Sequence, residues 1–157
     1  MVSIVDPAAD EVWESVAVIS TEKGIEERHP RTDEEWAALR VHAVRLVEAS
    51  NLLMIPGRRV AAPGKKLEDE HIEGVLGAAE VQALIDKDHN AFAARALALH
   101  DTAMVALKAI DEKNVDALSE AGGPIDEACE SCHVVYWYPD AAPPPPVAAP
   151  PAEAPKP

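Results

Sequence analysis

The sequence is poor in aromatic residues and in cysteine. Aromatic residues make up only 4% of its 157 residues, whereas hydrophobic residues as a whole make up 48%, many of them alanine. Sandwiches and barrels of β-strands are richer in aromatic and β-branched residues, so this composition favours packed helices. The only two cysteines, Cys129 and Cys132, are close neighbours in the chain. Their proximity excludes a fold held together by a disulfide framework.

Basic residues are also few. The chain has 14 lysines and arginines against 28 acidic residues, for a formal net charge of −14. Such a charge repels phosphate backbones and anionic lipid, so we expect no nucleic-acid or membrane-surface binding. A protein partner with a basic face is the natural electrostatic complement. No apolar run approaches the roughly 20 residues that a membrane span needs.

The chain divides into a folded domain, residues 1–140, and a tail, residues 141–157. The tail contains eight of the 14 prolines and few residues that could form a core. A segment so rich in proline favours extended, solvated conformations. We therefore predict that the tail is disordered.

Four segments of the folded domain have the apolar spacing of helices. They are approximately residues 6–21, 33–55, 79–111 and 115–137. Asp6 is a candidate N-cap before Pro7, and Thr32 with Glu35 resembles a capping box. We expect Pro124 to kink or restart the last helix, and a short helical turn within residues 68–76. The connections are short, so these segments predict an all-α fold, an antiparallel four-helix bundle.

The most informative motif is Cys129-Glu130-Ser131-Cys132-His133, which has the C-x-x-C-H spacing of covalent c-type haem attachment. The two thiols can form thioethers along one edge of a porphyrin, and the adjacent imidazole can reach the iron. On a helix, Cys129 shares a face with Cys132 and His133. Tyr136 lies on the same face and could pack along the ring. The motif therefore predicts one haem c, with His133 as the proximal ligand.

Three other interpretations of the motif stay open, and one of them is a chance occurrence of this spacing in a structural helix. Half of a zinc site would need further ligands from distant histidines such as His42, His71, His89 or His100. A thiol redox pair would normally occur beside a βαβ unit, which the pattern lacks.

A helical domain with this motif on its last helix resembles the class II c-type cytochromes, the group of cytochrome c′ and cytochrome c-556. The segment 117–137 carries most of this resemblance. The family implies thioethers at Cys129 and Cys132, iron ligation by His133, and a first helix covering the other haem face. It also leaves a homodimer open, and it implies a periplasmic location because haem c is attached outside the bacterial cytoplasm. Residues 1–9 lack the features of a signal peptide, so we expect a mature or trimmed form.

The sixth iron ligand decides between two functions. In the family, a methionine on the first helix gives an electron carrier, and an apolar residue there leaves a site for NO or CO. The first helix carries Trp13 and Val16, which could form an apolar cover. Met1 is a candidate sixth ligand at its start. Arg58 and Arg59, in the one basic loop, could pair with haem propionates.

The sequence thus predicts a monohaem electron carrier that exchanges electrons with redox proteins. A haem protein that binds NO or CO and a haem-free zinc or helical interaction module are the alternatives. No constellation of catalytic residues stands out, so we do not expect an enzyme.

Overall fold

The computed structural model describes residues 1–21 and 24–139. Within these ranges the chain forms five helices and one two-stranded sheet. The elements are α1 (Val5–Glu14), β1 (Ala17–Thr21), β2 (Gly24–Arg28), α2 (Asp33–Leu53), α3 (Ala78–Lys87), α4 (His89–Asp111) and α5 (Val115–Tyr136). The predicted tail, residues 141–157, lies outside the described residues.

Helices α1, α2, α4 and α5 share one apolar core. Each of them buries alanine and larger aliphatic side chains in the same cluster. The relative directions of the helices follow from contacts near their ends. Lys113, just after α4, pairs with Asp33 at the start of α2, and Trp13 near the end of α1 contacts Gly122 in the first half of α5. Helices α2 and α4 therefore run antiparallel, as do α1 and α5, and the four helices share one core as in a helical bundle.

The predicted capping box at the start of α2 is confirmed. The Thr32 hydroxyl accepts a hydrogen bond from the Glu35 amide, and the Glu35 carboxylate accepts one from the Thr32 amide. These two bonds satisfy backbone donors that have no partner inside the helix. The predicted apolar face follows, with Trp36, Leu39 and Leu46 all buried.

Helix α3 forms a second, smaller apolar cluster at one end of the bundle. Its buried members are Val81 and Ile85 from α3 and Tyr136 from the last turn of α5. Leu67 and Leu76, from the connection before α3, pack against the same cluster. The predicted helical turn in residues 68–76 is absent, since this described stretch contains only turns and irregular backbone.

The first helix is shorter than predicted, and the all-α prediction missed a β-hairpin. Helix α1 ends at Glu14, and Val16 and Ile19 lie beyond it. The antiparallel pairing of β1 with β2 places Ala17 opposite Arg28 and Ser20 opposite Ile25. The β-branched residues between positions 16 and 21 favour extended backbone and outweigh their helical spacing. Asp6 is not the N-cap either, since α1 begins at Val5.

The segment predicted as one long third helix is two helices that meet at Asp88. The backbone of Asp88 is not helical (φ −149°, ψ 78°), and its carboxylate accepts a hydrogen bond from the Ala91 amide. Aspartate caps a helix well because its oxygen replaces the missing backbone acceptor. The chain can therefore change direction here without a glycine or proline.

Pro124 does not interrupt the last helix, contrary to the predicted restart. Helix α5 continues through it from Val115 to Tyr136. Proline removes one backbone donor and crowds the preceding turn. Ala121 and Ile125 on either side of it are buried in the main core, and this packing keeps the helix continuous.

Truncation of Ile125 tests this core. The side chain is fully buried one turn before Cys129, so Ile125→Ala should lower the free energy of unfolding by about 2–5 kcal/mol. Val105→Ala is the control, because Val105 is 59% exposed on α4 and its loss should cost less than about 0.5 kcal/mol. Urea unfolding measures the free energy of unfolding of both variants. Equal losses in the two variants would contradict the described core.

Candidate functional site

The C-x-x-C-H residues occupy the last two turns of α5, at the boundary between the two apolar clusters. Cys129 packs against the edge of the main core, whereas Cys132 packs against the smaller cluster that contains Tyr136. Both cysteines are free and partly buried. The helix therefore presents two thiols one turn apart, each beside apolar surface.

His133 lies on the more open side of the motif. Its side chain is 26% exposed, and its Nδ1 atom faces the Glu130 carboxylate at 4.0 Å. The Trp137 ring meets the imidazole nearly edge-on, with 4.9 Å between centroids, and the Tyr138 ring lies at 5.8 Å. Since Nδ1 faces Glu130, Nε2 is the nitrogen on the side of the ring away from that carboxylate.

The segment that follows α5 folds back onto the motif. The amides of Trp137 and Tyr138 both donate to the His133 carbonyl, at 2.9 and 3.0 Å. The Tyr138 hydroxyl donates to Glu130 Oε2. Burial, followed by this hydrogen bond, raises the pKa of Tyr138 to about 12. These contacts hold two aromatic rings against His133 and fix Glu130 beside it.

Burial governs the ionisation of the motif residues. Burial and the nearby Asp126 carboxylate raise the pKa of Cys129 to about 11, and burial also raises the pKa of Cys132. Burial lowers the pKa of His133, against the opposing effect of Glu130. A redox-active cysteine pair normally contains a thiol of lowered pKa. The direction found here is the opposite, and it gives a thiol redox pair no support.

The first turn of α1 lies near the motif. The Asp6 carboxylate raises the pKa of Cys129 and opposes the fall in the pKa of His133. Met1 lies just before this turn, where its carbonyl accepts hydrogen bonds from the amides of Ile4 and Val5, and its side chain is 55% exposed. The candidate sixth ligand is therefore at the end of α1 that approaches the motif.

Trp13 and Val16, the predicted apolar cover, lie near and beyond the C-terminal end of α1. The Trp13 Nε1 atom donates to the Gly122 carbonyl at 3.2 Å. Gly122 precedes Cys129 by seven residues, about 10 Å along a helix. Val16 is beyond the end of α1 and packs against the main core. The turns of α1 nearer to the motif instead bury Val5, Ala8 and Ala9.

Tyr136 lies in the smaller apolar cluster, and the two candidate arginines lie in the loop after α2. Tyr136 is buried against Phe92 in an edge-to-face contact with 5.2 Å between centroids. Arg58 and Arg59 are exposed in the loop after α2, and Arg59 borders a cleft whose opposite wall is α3. The walls of that cleft come from the loop and α3, so the structure does not bring Arg59 to the motif through it.

Arg95 is the basic residue that the structure brings to the motif, and the sequence pattern did not indicate it. Its Nε atom donates to the Ser131 carbonyl at 3.1 Å, inside the C-x-x-C-H segment. It also opposes the rise in the pKa of Cys132. Arg95 follows Phe92 by one turn of α4, and both side chains lie beside Tyr136. This spacing from an apolar residue was the one local signal that could have indicated Arg95.

The residues of the motif fit a covalently attached haem. The chemistry of the donor set is complete, with two free thiols and an imidazole on one helix, and apolar clusters lie beside both thiols. The fit requires that the Trp137 and Tyr138 rings leave Nε2 of His133 accessible. In the described ranges, no group of three or more histidine, cysteine or acidic side chains is arranged to hold a metal ion. A zinc site gains no support from this arrangement.

Comparisons with known proteins found no match to the chain among family models, curated proteins or solved structures. No helix in the described residues is both long enough and apolar enough to cross a membrane.

Proposed function

We propose that this protein is a monohaem c-type cytochrome of the class II type, a one-electron carrier. The observation that carries the proposal is the position of Cys129, Cys132 and His133 on the last helix of a bundle, with both thiols free and beside apolar surface. Haem iron supplies a one-electron couple between its ferric and ferrous states. The helices supply the attachment points, the proximal imidazole and an environment that limits access of water.

Each residue of the site has a distinct part in this proposal. Cys129 and Cys132 would form the two thioethers, and His133 would offer Nε2 to the iron. Glu130 faces Nδ1 of His133 and is itself held by Tyr138. The negative charge of a carboxylate near that nitrogen increases the basicity of the ligand.

Partners and location follow from charge and from the chemistry of attachment. The net charge of −14 and the acidic residues around the motif suit a redox protein with a basic face, which would steer electrostatically toward this end of the bundle. Covalent attachment implies the periplasm.

Binding of a small gas is the second candidate, and one observation favours it. The buried side chains of α1 near the motif, Val5, Ala8 and Ala9, cannot ligate iron. If Met1 does not bind the iron either, the sixth position is open to NO or CO. The third candidate is a haem-free interaction or zinc module, and its zinc version would need ligands that the described residues do not assemble.

The visible spectrum of protein matured with a c-haem assembly system separates these functions. We expect a c-type spectrum on reduction. A spectrum that resists carbon monoxide indicates a strong sixth ligand and an electron carrier, whereas a ready shift indicates an open or weakly held site. Absence of any haem band, together with stoichiometric zinc, would support the third candidate instead.

A further inference from the structure

The Arg95 side chain on α4 makes three contacts, and one of them reaches the motif. Its Nη1 atom donates to the Ala91 carbonyl at 3.2 Å, and its Nε atom donates to the Ser131 carbonyl at 3.1 Å. The guanidinium carbon also lies 5.8 Å from the centroid of the Tyr136 ring. A planar guanidinium can make such contacts at the same time because its donors diverge in one plane. The side chain is partly buried, so these contacts define its position.

The charge of Arg95 is unusual for its surroundings. The carboxylates of Asp6, Asp126 and Glu130 act on Cys129 and His133. Arg95 acts on Cys132 with the opposite sign. Among the charged groups that act on the three motif residues in the described ranges, Arg95 is the one cation.

We propose that Arg95 is a positioning residue that ties the Ser131 carbonyl of the motif to α4, and that its fixed positive charge favours the reduced state of the site. This inference rests on the proposed function. Reduction transfers one electron from a redox protein partner, and no bond forms or breaks. The electron adds negative charge near the guanidinium cation, and opposite charges attract more strongly at a partly buried site than in bulk water.

Two variants separate the anchor from the charge. Arg95→Lys keeps the charge but loses the planar arrangement of donors, whereas Arg95→Met keeps much of the length and loses both. Arg45→Met is the matched control, because Arg45 is exposed on α2 and its loss changes the net charge equally. The measurements are the reduction potential of the matured full chain and the hydrogen exchange of amides 131–136 in the haem-free chain.

We expect Arg95→Met to have a lower potential than both the wild type and Arg45→Met, and Arg95→Lys to stay near the wild type. We expect faster exchange of amides 131–136 in both Arg95 variants and no change in Arg45→Met. Equal potentials in Arg95→Met and Arg45→Met would overturn the role of the charge. Wild-type exchange in Arg95→Lys would overturn the anchor.

The experiment distinguishes failure of the proposed function from failure of this inference. If the wild-type chain acquires no haem under maturation conditions, the proposed function and the role of the charge are both overturned, and the exchange measurement still decides the anchor. If Arg95→Met does not fold, Arg95→Gln replaces it in the potential measurement, with Arg45→Gln as its control.

Discussion

Replacement of Cys129 and Cys132 together by serine should abolish covalent haem attachment. Serine keeps the size of the side chain and removes the sulfur that forms each thioether, so haem retained on a denaturing gel should fall to background. Both thiols are partly buried beside apolar surface, and the oxygen of serine is more polar than sulfur. A modest loss of stability is therefore expected in addition to the loss of haem.

The control for this double variant is Ser131→Ala, inside the same motif. The Ser131 hydroxyl only donates to the Ala128 carbonyl in its own helix, so its loss should leave attachment intact. Retention of covalent haem by the double cysteine variant would contradict the assignment of both thioethers. Each single cysteine variant should keep haem attached through one thioether.

Replacement of His133 by alanine should preserve attachment and abolish the normal spectrum. The thioethers depend on the cysteines, whereas the proximal nitrogen comes from His133 alone on this part of α5. The measurement is the visible spectrum of the matured variant in both oxidation states, beside a gel that reports covalent haem. His71→Ala is a suitable control, because His71 is exposed in the connection before α3.

An unchanged spectrum in His133→Ala would contradict the proximal role of this residue. A further variant, Glu130→Gln, separates ligation by His133 from the effect of the neighbouring carboxylate charge on that ligand. Glu130 faces Nδ1 of His133 at 4.0 Å and accepts a hydrogen bond from Tyr138. Loss of its charge should keep the ligand and lower its basicity, which should raise the reduction potential.

The parts of the fold that sequence could predict are those with local signals. The capping box of Thr32 and Glu35 uses residues three positions apart, and it forms as expected. The apolar face of α2 follows from a regular helical period. The C-x-x-C-H motif is equally local, and helical geometry alone places Cys129, Cys132 and His133 on one face of α5.

The parts that could not be predicted depend on competition or on distant contacts. Residues 16–21 match a helical period, but their β-branched side chains favour strands, and the hairpin shows which preference prevails. Asp88 breaks a continuous apolar seam without glycine or proline, by capping the next helix. The pattern did not indicate Arg95, because its contact with Ser131 spans 36 residues and depends on how α4 is rotated against α5.

The placement of Trp13 shows the same limit for the site. Helical spacing predicts that it lies on an apolar face, and in the structure α1 packs beside α5. Antiparallel packing then takes Trp13 to Gly122 and brings Asp6 toward the motif. Helical spacing alone does not determine which end of α1 approaches Cys129.

The most direct test of the central claim is the mass of the full chain after maturation with a c-haem assembly system, measured under denaturing conditions. We expect an increase equal to one haem, with neither Cys129 nor Cys132 available to a thiol reagent. A chain of unchanged mass, with both cysteines still reactive after maturation, would contradict it.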